Sequence, residues 1–461
     1  MQKQPKAHVL NMTAGSPAKL LLQFSLPLFC GNLLQQLYNI VDTSIAGNLL
    51  GEQAVAEIGV TVALYGLIVN FVFGLNNGLA LAVSRSFGAG DRNAMKQAVC
   101  WMALLAGGAA IVLTGGLLLM REPFMALLQT PEELWEGALA YATVILAGIP
   151  LTMAYNLESA LLQALGNSRT PLLFLLFSSI VNVGLDFLFM GSFGWGVRGA
   201  AAATVLSQGI SAGLGLWYLV RNYRELRFGK SQLKTEPGFV KGMFWTGLSM
   251  GLMTAIYNIG SVILQGSINA LGSVYIAAQV GARRIAEMVY VPVLALGSAV
   301  STYASQNYGA GKRGRILRGI KVAMLLYAAW WVVALLFTFT AAPAVLRLIT
   351  GSENPEVIGS AALYLHMGIP MTPPMALLII LRNALQGMGK VVPPLIASSL
   401  EMLGKIAFAI WMVPRFGYPA VCACEPFTWV ICCLFITLAA FKYRNEFQDN
   451  KLQKCGNEVL V

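Results

Sequence analysis

Charged residues and histidines are scarce in this chain of 461 residues. Asp, Glu, Lys and Arg together make up 11% of it, and it has two histidines. Soluble domains carry about 25% charged residues, so the composition excludes a sizeable soluble domain. A Ser-His-Asp set or a pair of metal-binding histidines also needs histidine in suitable positions. We therefore expect no enzyme activity.

Other recognisable sites are missing as well. The seven cysteines have no metal-ligand spacing with histidine, and most lie in apolar runs, where free Cys behaves as a small hydrophobe. The Gly-Ala-Gly-Lys at 309–312 is not a phosphate-binding loop, because GxxxxGK[ST] is absent and no strand precedes it. We expect no nucleotide and no cofactor.

Long apolar segments dominate what is present, since hydrophobic residues make up 57% of the chain. A helix of about 20 apolar residues crosses a bilayer core. Twelve segments satisfy this length, at 20–44, 55–83, 97–120, 138–162, 171–191, 199–220, 242–268, 274–303, 318–341, 360–384, 393–413 and 419–441. We predict an all-α polytopic protein with 12 transmembrane helices in a lipid bilayer.

Basic residues fall on one side of this predicted topology. Most of the 31 Lys and Arg residues lie at the termini and in the even-numbered loops, with the richest clusters at 221–241 and 312–321. Lys and Arg are retained in the cytoplasm, so we expect both termini to be cytoplasmic and the chain to lie in the cell membrane. The net charge of +11 then reflects topology, and we expect no nucleic-acid partner.

The chain also repeats itself. Phe87-Gly-Ala-Gly-Asp-Arg returns as Tyr308-Gly-Ala-Gly-Lys-Arg, and Tyr38-Asn-Ile returns as Tyr257-Asn-Ile. The repeat predicts a cytoplasmic segment at 1–19, a first six-helix lobe at 20–220, a basic linker at 221–241, a second lobe at 242–441 and a tail at 442–461. Six spans per lobe make the repeats parallel, an arrangement known among transporters. A duplicated channel or scaffold stays an alternative.

Polar residues inside the first-half spans are the candidates for chemistry. Asp42 lies in span one, Asn182 and Asp186 lie one turn apart in span five, Thr204 lies in span six and Asn156 in span four. A carboxylate at the centre of a spanning helix is costly and usually has a proton, a cation or a polar cavity. These oxygen ligands suit Na⁺ or a shared proton. Alternatively, Asp42 lies in the headgroups, and Asn156 and Thr204 only join helices.

The second half does not repeat the span-one acid. Its spans carry Arg283, Arg284 and Glu287, and then Glu401 with Lys405. Arg284–Glu287 and Glu401–Lys405 have the spacing of intrahelical ion pairs. These groups are either structural or part of a polar patch that faces a substrate. We interpret His366 and Glu425 as structural.

With these motifs the chain resembles the multidrug and toxic compound extrusion (MATE) family, whose superfamily includes lipid and oligosaccharide flippases. The resemblance covers almost the whole chain and rests on the two lobes, the span-one Asp, the two Gly-Ala-Gly loops and the LLQALGNSRTP and ALQGMGKVVPP matches. It implies a V-shaped fold, alternating access between two lobes, and export of cationic or amphipathic small molecules against H⁺ or Na⁺.

The resemblance also implies roles for particular residues. A first-lobe cation site falls on Asp42, Asn182, Asp186 and Thr204, with Asn156 as a neighbour, and the span-one proline associated with helix bending falls on Pro27. The expected substrate cavity comprises Gln35, Tyr38, Tyr257, Asn258, Arg283, Arg284 and Glu287. Second-lobe acids found in spans seven and ten of some members are absent here.

We expect a monomer. A flippase that binds phosphates through Arg283 and Arg284 is the main rival interpretation.

Overall fold

The computed structural model describes residues 9–448, and every regular element within them is a helix. The first half contains α1 (Pro17–Leu50), α2 (Glu52–Ala89), α3 (Arg92–Leu119), α4 (Arg121–Leu127), α5 (Glu132–Ala147), α6 (Ile149–Ala164), α7 (Arg169–Asp186) and α8 (Val197–Asn222). The second half contains α9 (Pro237–Asn269), α10 (Ser273–Gly309), α11 (Arg313–Thr340), α12 (Ala342–Thr350), α13 (Pro355–Gly368), α14 (Thr372–Gly387), α15 (Val392–Ala407), α16 (Val413–Phe416) and α17 (Tyr418–Lys442).

Within the described residues, 11 helical stretches are long and apolar enough to cross a membrane, and the number rises to 12 when α5 and α6 count as one bent span. These two helices meet at an angle of 47°. The bend follows from Pro150, which has no N–H for the preceding turn and would clash with it. The predicted all-α fold is therefore confirmed, with a break inside span four.

The duplicated loops have matching backbone conformations. Gly90 has φ +72° and its counterpart Gly311 has φ +70°, while Gly166 and Gly389 have +86° and +83°. Glycine adopts positive φ without the steric cost that other residues meet. The repeat read from sequence letters is thus also a repeat of helix-ending turns.

The chain packs as two compact units. The first contains Leu26–Ser86 and Asp91–Ala255, and the second contains Asn11–Ser25, Phe87–Gly90 and the chain from Ile256 onward. In the first unit, an apolar cluster around Ile45, Ala46, Tyr141, Ile145 and Ala201 joins α1, α5 and α8. The lobe boundaries predicted at 220 and 242 stay a prediction.

Inside the first unit, α2 and α9 approach through two small-residue motifs. Gly74 and Gly78 on α2 face Gly247 and Gly251 on α9, and a Cβ at Gly78 would lie 2.7 Å from the Cα of Gly247. The spacing of four places both glycines of each helix on one face, the arrangement that lets helices pack closely in a membrane. The backbones therefore leave no room for side chains at this contact.

We expect Gly78→Leu to lower the free energy of unfolding by about 1–3 kcal/mol, because overpacking forces the helices apart. Thermal unfolding of the purified protein in detergent measures the effect. Gly108→Leu on α3 is the matched control, since a Cβ there meets nothing within 4 Å. Equal stability of the two variants would contradict this packing.

In the second unit, the segment after α17 is held by one carboxylate. Glu446 accepts from Lys390 Nζ at 2.7 Å and from the Tyr308 hydroxyl at 3.0 Å. Partial burial alone would raise the pKa of Glu446, but these two hydrogen bonds outweigh it and hold the pKa below its ordinary value. The carboxylate form is therefore the one that stabilises the fold.

A lowered folded pKa contributes stability above the ordinary Glu pKa, and this stability is lost as pH falls through the folded value. We expect Glu446→Gln to be less stable than wild type at neutral pH by at most about 1 kcal/mol, since both partners are part exposed. The difference should vanish in acid. Thermal unfolding of both proteins across pH tests this, and a pH-independent difference would refute it.

Candidate functional site

Four of the predicted site residues meet in the first unit. α1 carries Asp42, α7 carries Asn182 and Asp186, and α8 carries Thr204. The Asp42 and Asp186 carboxyl groups lie close to each other. Asn182 and Asp186 are fully buried, and Thr204 is 6% exposed. The Tyr38 hydroxyl lies 3.5 Å from the Thr204 hydroxyl and joins α1 to α8.

Polar atoms in this cluster lack partners. One oxygen of Asp42, both oxygens of Asp186 and both amide atoms of Asn182 are buried without a hydrogen bond to any of residues 9–448. Ionised carboxylates only accept hydrogen bonds, so neither Asp can donate to the other unless one is protonated. The geometry therefore suits a proton or a cation between the two carboxyl groups.

Local sequence explains how the helices reach this arrangement. A spacing of four residues stacks Asn182 above Asp186 on one face of α7. The run of Gly199 and four alanines at the start of α8 allows close approach, and a Cβ at Gly199 would lie 3.1 Å from the Phe189 backbone. After Asp186 the helix widens into a π-helix over Phe187–Ser192. A second π-helix, Phe408–Met412, follows α15, so this feature belongs to the repeated fold.

Asn156, Pro27 and Gln35 have local surroundings. The Asn156 amide donates to the Thr152 carbonyl of its own helix at 2.8 Å. Pro27 lies inside α1, where proline removes one helical hydrogen bond. Gln35 is exposed and lies 3.5 Å from the Asn39 side chain one turn on. Their predicted roles stay predictions.

Several residues of this region were not singled out from the sequence. Tyr65 lies near Asp42 and within hydrogen-bonding reach of Thr152 and Gln208. Thr152 donates to Gln208 at 2.6 Å, and Tyr141 also lies near both aspartates. A hydroxyl or amide in an otherwise apolar span is the available signal, but many such residues only join helices.

The second unit contains a different kind of cluster. Arg283 on α10 pairs with Glu425 on α17 at 2.9 Å and with Glu287 at 3.5 Å, and Tyr364 donates to Glu425 at 2.8 Å. The predicted Arg284–Glu287 pair is wrong. Arg284 is exposed, while Arg283 lies one helical turn before Glu287 and forms the ion pair with the Glu287 carboxylate. Glu425 therefore joins Arg283 and Tyr364 in one cluster of hydrogen bonds and ion pairs.

A second ionic group lies in the same unit around Lys405. Its ammonium lies 4.0 Å from Glu401, as predicted, donates to Ser261 at 2.9 Å and sits 3.8 Å from the centre of the Tyr257 ring. Arg382 approaches Glu401 at 3.9 Å. The two groups together contain three bases and three acids: Arg283, Arg382, Lys405, Glu287, Glu401 and Glu425. Their formal charges balance.

A cavity of about 560 Å³, including its open mouth, lies beside Arg283. Polar residues on its wall are Asn258, Ser261, Gln265, Gln279 and Arg283. Asn258 and Arg283 were expected at a substrate cavity, whereas Gln265 and Gln279 were not singled out. The wall could hydrogen-bond a polar small molecule without presenting an unpaired charge.

Comparison with known proteins fixes the family. Residues 27–188 and 249–411, one stretch in each half, match the protein-family model described as MatE. The chain belongs to the MatE family. It is therefore a membrane transporter and not an enzyme. The MatE match repeats in the two halves, as the sequence motifs do.

Relatives and solved structures agree with this MatE assignment. The chain is 30% identical over 307 residues to a probable multidrug resistance protein, YpnP, of Bacillus subtilis (strain 168), covering 66% of this chain and 68% of the relative. It is 23% identical to the probable multidrug resistance protein NorM of Thermotoga maritima, covering 86% of each. A structure described as the outward-facing conformation of a multidrug resistance MATE family transporter superposes with TM-score 0.88 at 22% identity, covering 97% of this chain and 100% of that one.

We expect Glu425→Gln to lower the free energy of unfolding of this MatE protein by about 3 kcal/mol, because the change removes the buried carboxylate and leaves part-buried Arg283 without its closest partner. Equilibrium unfolding in mixed detergent measures the change. Glu225→Gln is the control, since its pair with Arg92 is exposed and contributes less than about 1 kcal/mol. Similar losses in both variants would show that the Arg283 pair has no special role.

Proposed function

We propose that this chain exports amphipathic or cationic small molecules, with H⁺ or Na⁺ binding in the first unit as the driving step. The observation that carries the proposal is that the Asp42 and Asp186 carboxyl groups lie close together. Their buried oxygens accept no hydrogen bond from a described residue. The printed names of the relatives, multidrug resistance and multidrug export proteins, support the substrate class.

The donor set fits a small hard cation as well as a proton. Residues 9–448 contain no group of three or more His, Cys, Asp or Glu side chains able to hold a metal ion. The two carboxylates of Asp42 and Asp186 alone are too few, so a Na⁺ ion would also need the amide oxygen of Asn182 and the hydroxyl oxygen of Thr204. Bound there, it would supply the positive charge that two close carboxylates need.

Coupling follows from where the two carboxyl groups lie. Asp42 belongs to α1 and Asp186 to α7, so a proton or cation bridging them favours the packing that holds the helices together. Loss of that positive charge brings repulsion and favours a different packing of α1. A ligand shifts a conformational equilibrium only through such a difference in affinity. Pro27 gives α1 a weakened turn at which its packing can change.

We assign substrate contacts to residues of each unit separately. These are Tyr38 and Gln35 in the first unit, and Tyr257, Asn258, Arg283, Arg284 and Glu287 in the second. We propose that the protein works as a monomer in the cytoplasmic membrane with both termini in the cytoplasm. Aromatic surfaces tolerate varied shapes, which suits a broad substrate range.

A flippase for phosphate-bearing lipids is the weaker candidate. Phosphate recognition needs cationic groups available for bidentate hydrogen bonds. Arg283 is already held by Glu425 and Glu287, and the surrounding cluster has balanced formal charge. This balance favours the exporter.

We expect Asp42→Asn and Asp186→Asn each to reduce gradient-driven efflux of ethidium by at least about tenfold, since either change removes one of the two charges that bind the coupling ion. Efflux from everted vesicles under a Na⁺ gradient, and separately under a proton gradient, identifies the ion. Glu133→Gln, which removes an exposed acid at the start of α5, is the matched control. Wild-type rates in both aspartate variants would sink the proposal.

A further inference from the structure

A further buried carboxylate lies in the first unit, away from the Asp42–Asp186 pair. Glu158 on α6 is 3% exposed, and its Oε1 is buried without a hydrogen-bond partner. No ion pair within residues 9–448 involves it. An acid held in a low-dielectric interior without a cation is rare and usually functional.

The neighbouring helix makes room for this carboxylate. Both Glu158 carboxylate oxygens occupy the space that a Cβ at Gly215 of α8 would fill. A glycine at that point of α8 therefore forms a cradle for the carboxyl group. An ionised carboxylate without a partner would cost several kcal/mol there, so the geometry fits a carboxylic acid that holds its proton while α6 and α8 are packed together.

A polar stripe on α8 connects this cradle with the proposed ion site. Thr204, Gln208, Ser211 and Gly215 are spaced by four, three and four residues, which places them on one helix face. Gln208 accepts from Thr152, and Ser211 is fully buried with an unpartnered hydroxyl. At 1.5 Å rise per residue, Gly215 lies about 16 Å along α8 from Thr204. If this contact between α6 and α8 served packing alone, we would expect apolar side chains along it instead of polar ones.

Charged and titratable neighbours do not neutralise Glu158. Tyr155, on its own helix, is the titratable group that interacts with it directly. The same ends of the packed helices carry Arg85 on α2, which contacts α6 through Asn76 and Met153, and Lys96, Cys100, Arg169, Tyr218 and Arg221 on α3, α7 and α8. None of these forms an ion pair with Glu158 in the described part of the chain, so its charge depends on its own proton.

We propose that Glu158 is a second proton-binding site of the first unit, one that takes up and releases a proton in each transport cycle. The inference rests on the proposed function and commits the chain to H⁺ as a coupling ion. When α6 and α8 separate, the proton passes from the Glu158 carboxyl oxygen to water on one side of the membrane, and a proton from water on the other side replaces it before the two helices close. Two protons then move per cycle, one at the aspartate pair and one at Glu158.

The stoichiometry gives a sharp test in proteoliposomes that contain the full chain. Each coupled proton multiplies the limiting accumulation of ethidium by about ten per pH unit of gradient. Under a gradient of one pH unit, we expect Glu158→Gln to lower the limiting accumulation about tenfold and to leave the ethidium Kd within about twofold of wild type. Glu158→Asp, which keeps a carboxyl group, should restore the accumulation. Wild-type accumulation by Glu158→Gln overturns the inference.

Failure of the inference and failure of the proposed function give different results. A wild-type protein that accumulates ethidium only under a Na⁺ gradient overturns the inference and leaves the exporter intact. A protein that moves no ethidium under either gradient overturns the exporter. Infrared pH titration of the carboxyl band then still decides Glu158, because a proton-binding Glu158 makes the spectra of wild type and Glu158→Gln differ and identical spectra overturn the inference. Thermal unfolding of each variant excludes misfolding as the cause.

Discussion

The contact between two acidic side chains inside the membrane is the constraint on which the first unit depends. Asp42 and Asp186 come from different helices, and in the described part of the chain neither forms an ion pair with a basic side chain. When two carboxyl groups lie close together, the charge of one disfavours ionisation of the other. In the proposed mechanism, the packing of α1 against α7 and α8 depends on a bound proton or cation. The same helix contact would then both hold the fold together and respond to the ion.

The second unit shows what the same fold does when the protein supplies that charge itself. Ser261 follows Tyr257 by four residues, as Asp42 follows Tyr38, so Ser261 occupies the place of the span-one acid in the repeat. It receives a hydrogen bond from Lys405 at 2.9 Å, and the ammonium also lies over the Tyr257 ring. Lys405 thus supplies in the second unit the positive charge that we propose a dissociable ion supplies in the first. On that proposal, the two halves have diverged into one contact that depends on an ion and one that does not.

Sequence patterns predicted the features that depend on short spacing or on the membrane. Asn182 and Asp186 share a face because they are one turn apart, and the cost of burying acids made Asp42 noticeable. The Arg283–Glu425 pair joins residues 142 positions apart, so no local spacing could reveal it. Arg382 lies near the end of predicted span ten, and its approach to Glu401 also joins residues that are distant in sequence. The surroundings of Glu158 have no sequence signal, because its carboxylate fits beside a glycine of another helix, Gly215.

Unsatisfied polar atoms make the first unit locally less stable than its apolar surroundings. A buried donor or acceptor without a partner costs about 1–3 kcal/mol, and Asp186 and Asn182 each have two such atoms. Their burial is tolerated because close packing of small residues on α8 and the contact between α2 and α9 supply stability elsewhere in the unit. Under the proposed mechanism, a bound ion or proton lowers these costs. The first unit would then be most stable with the ion bound, as is required if ion binding is to favour one conformation over another.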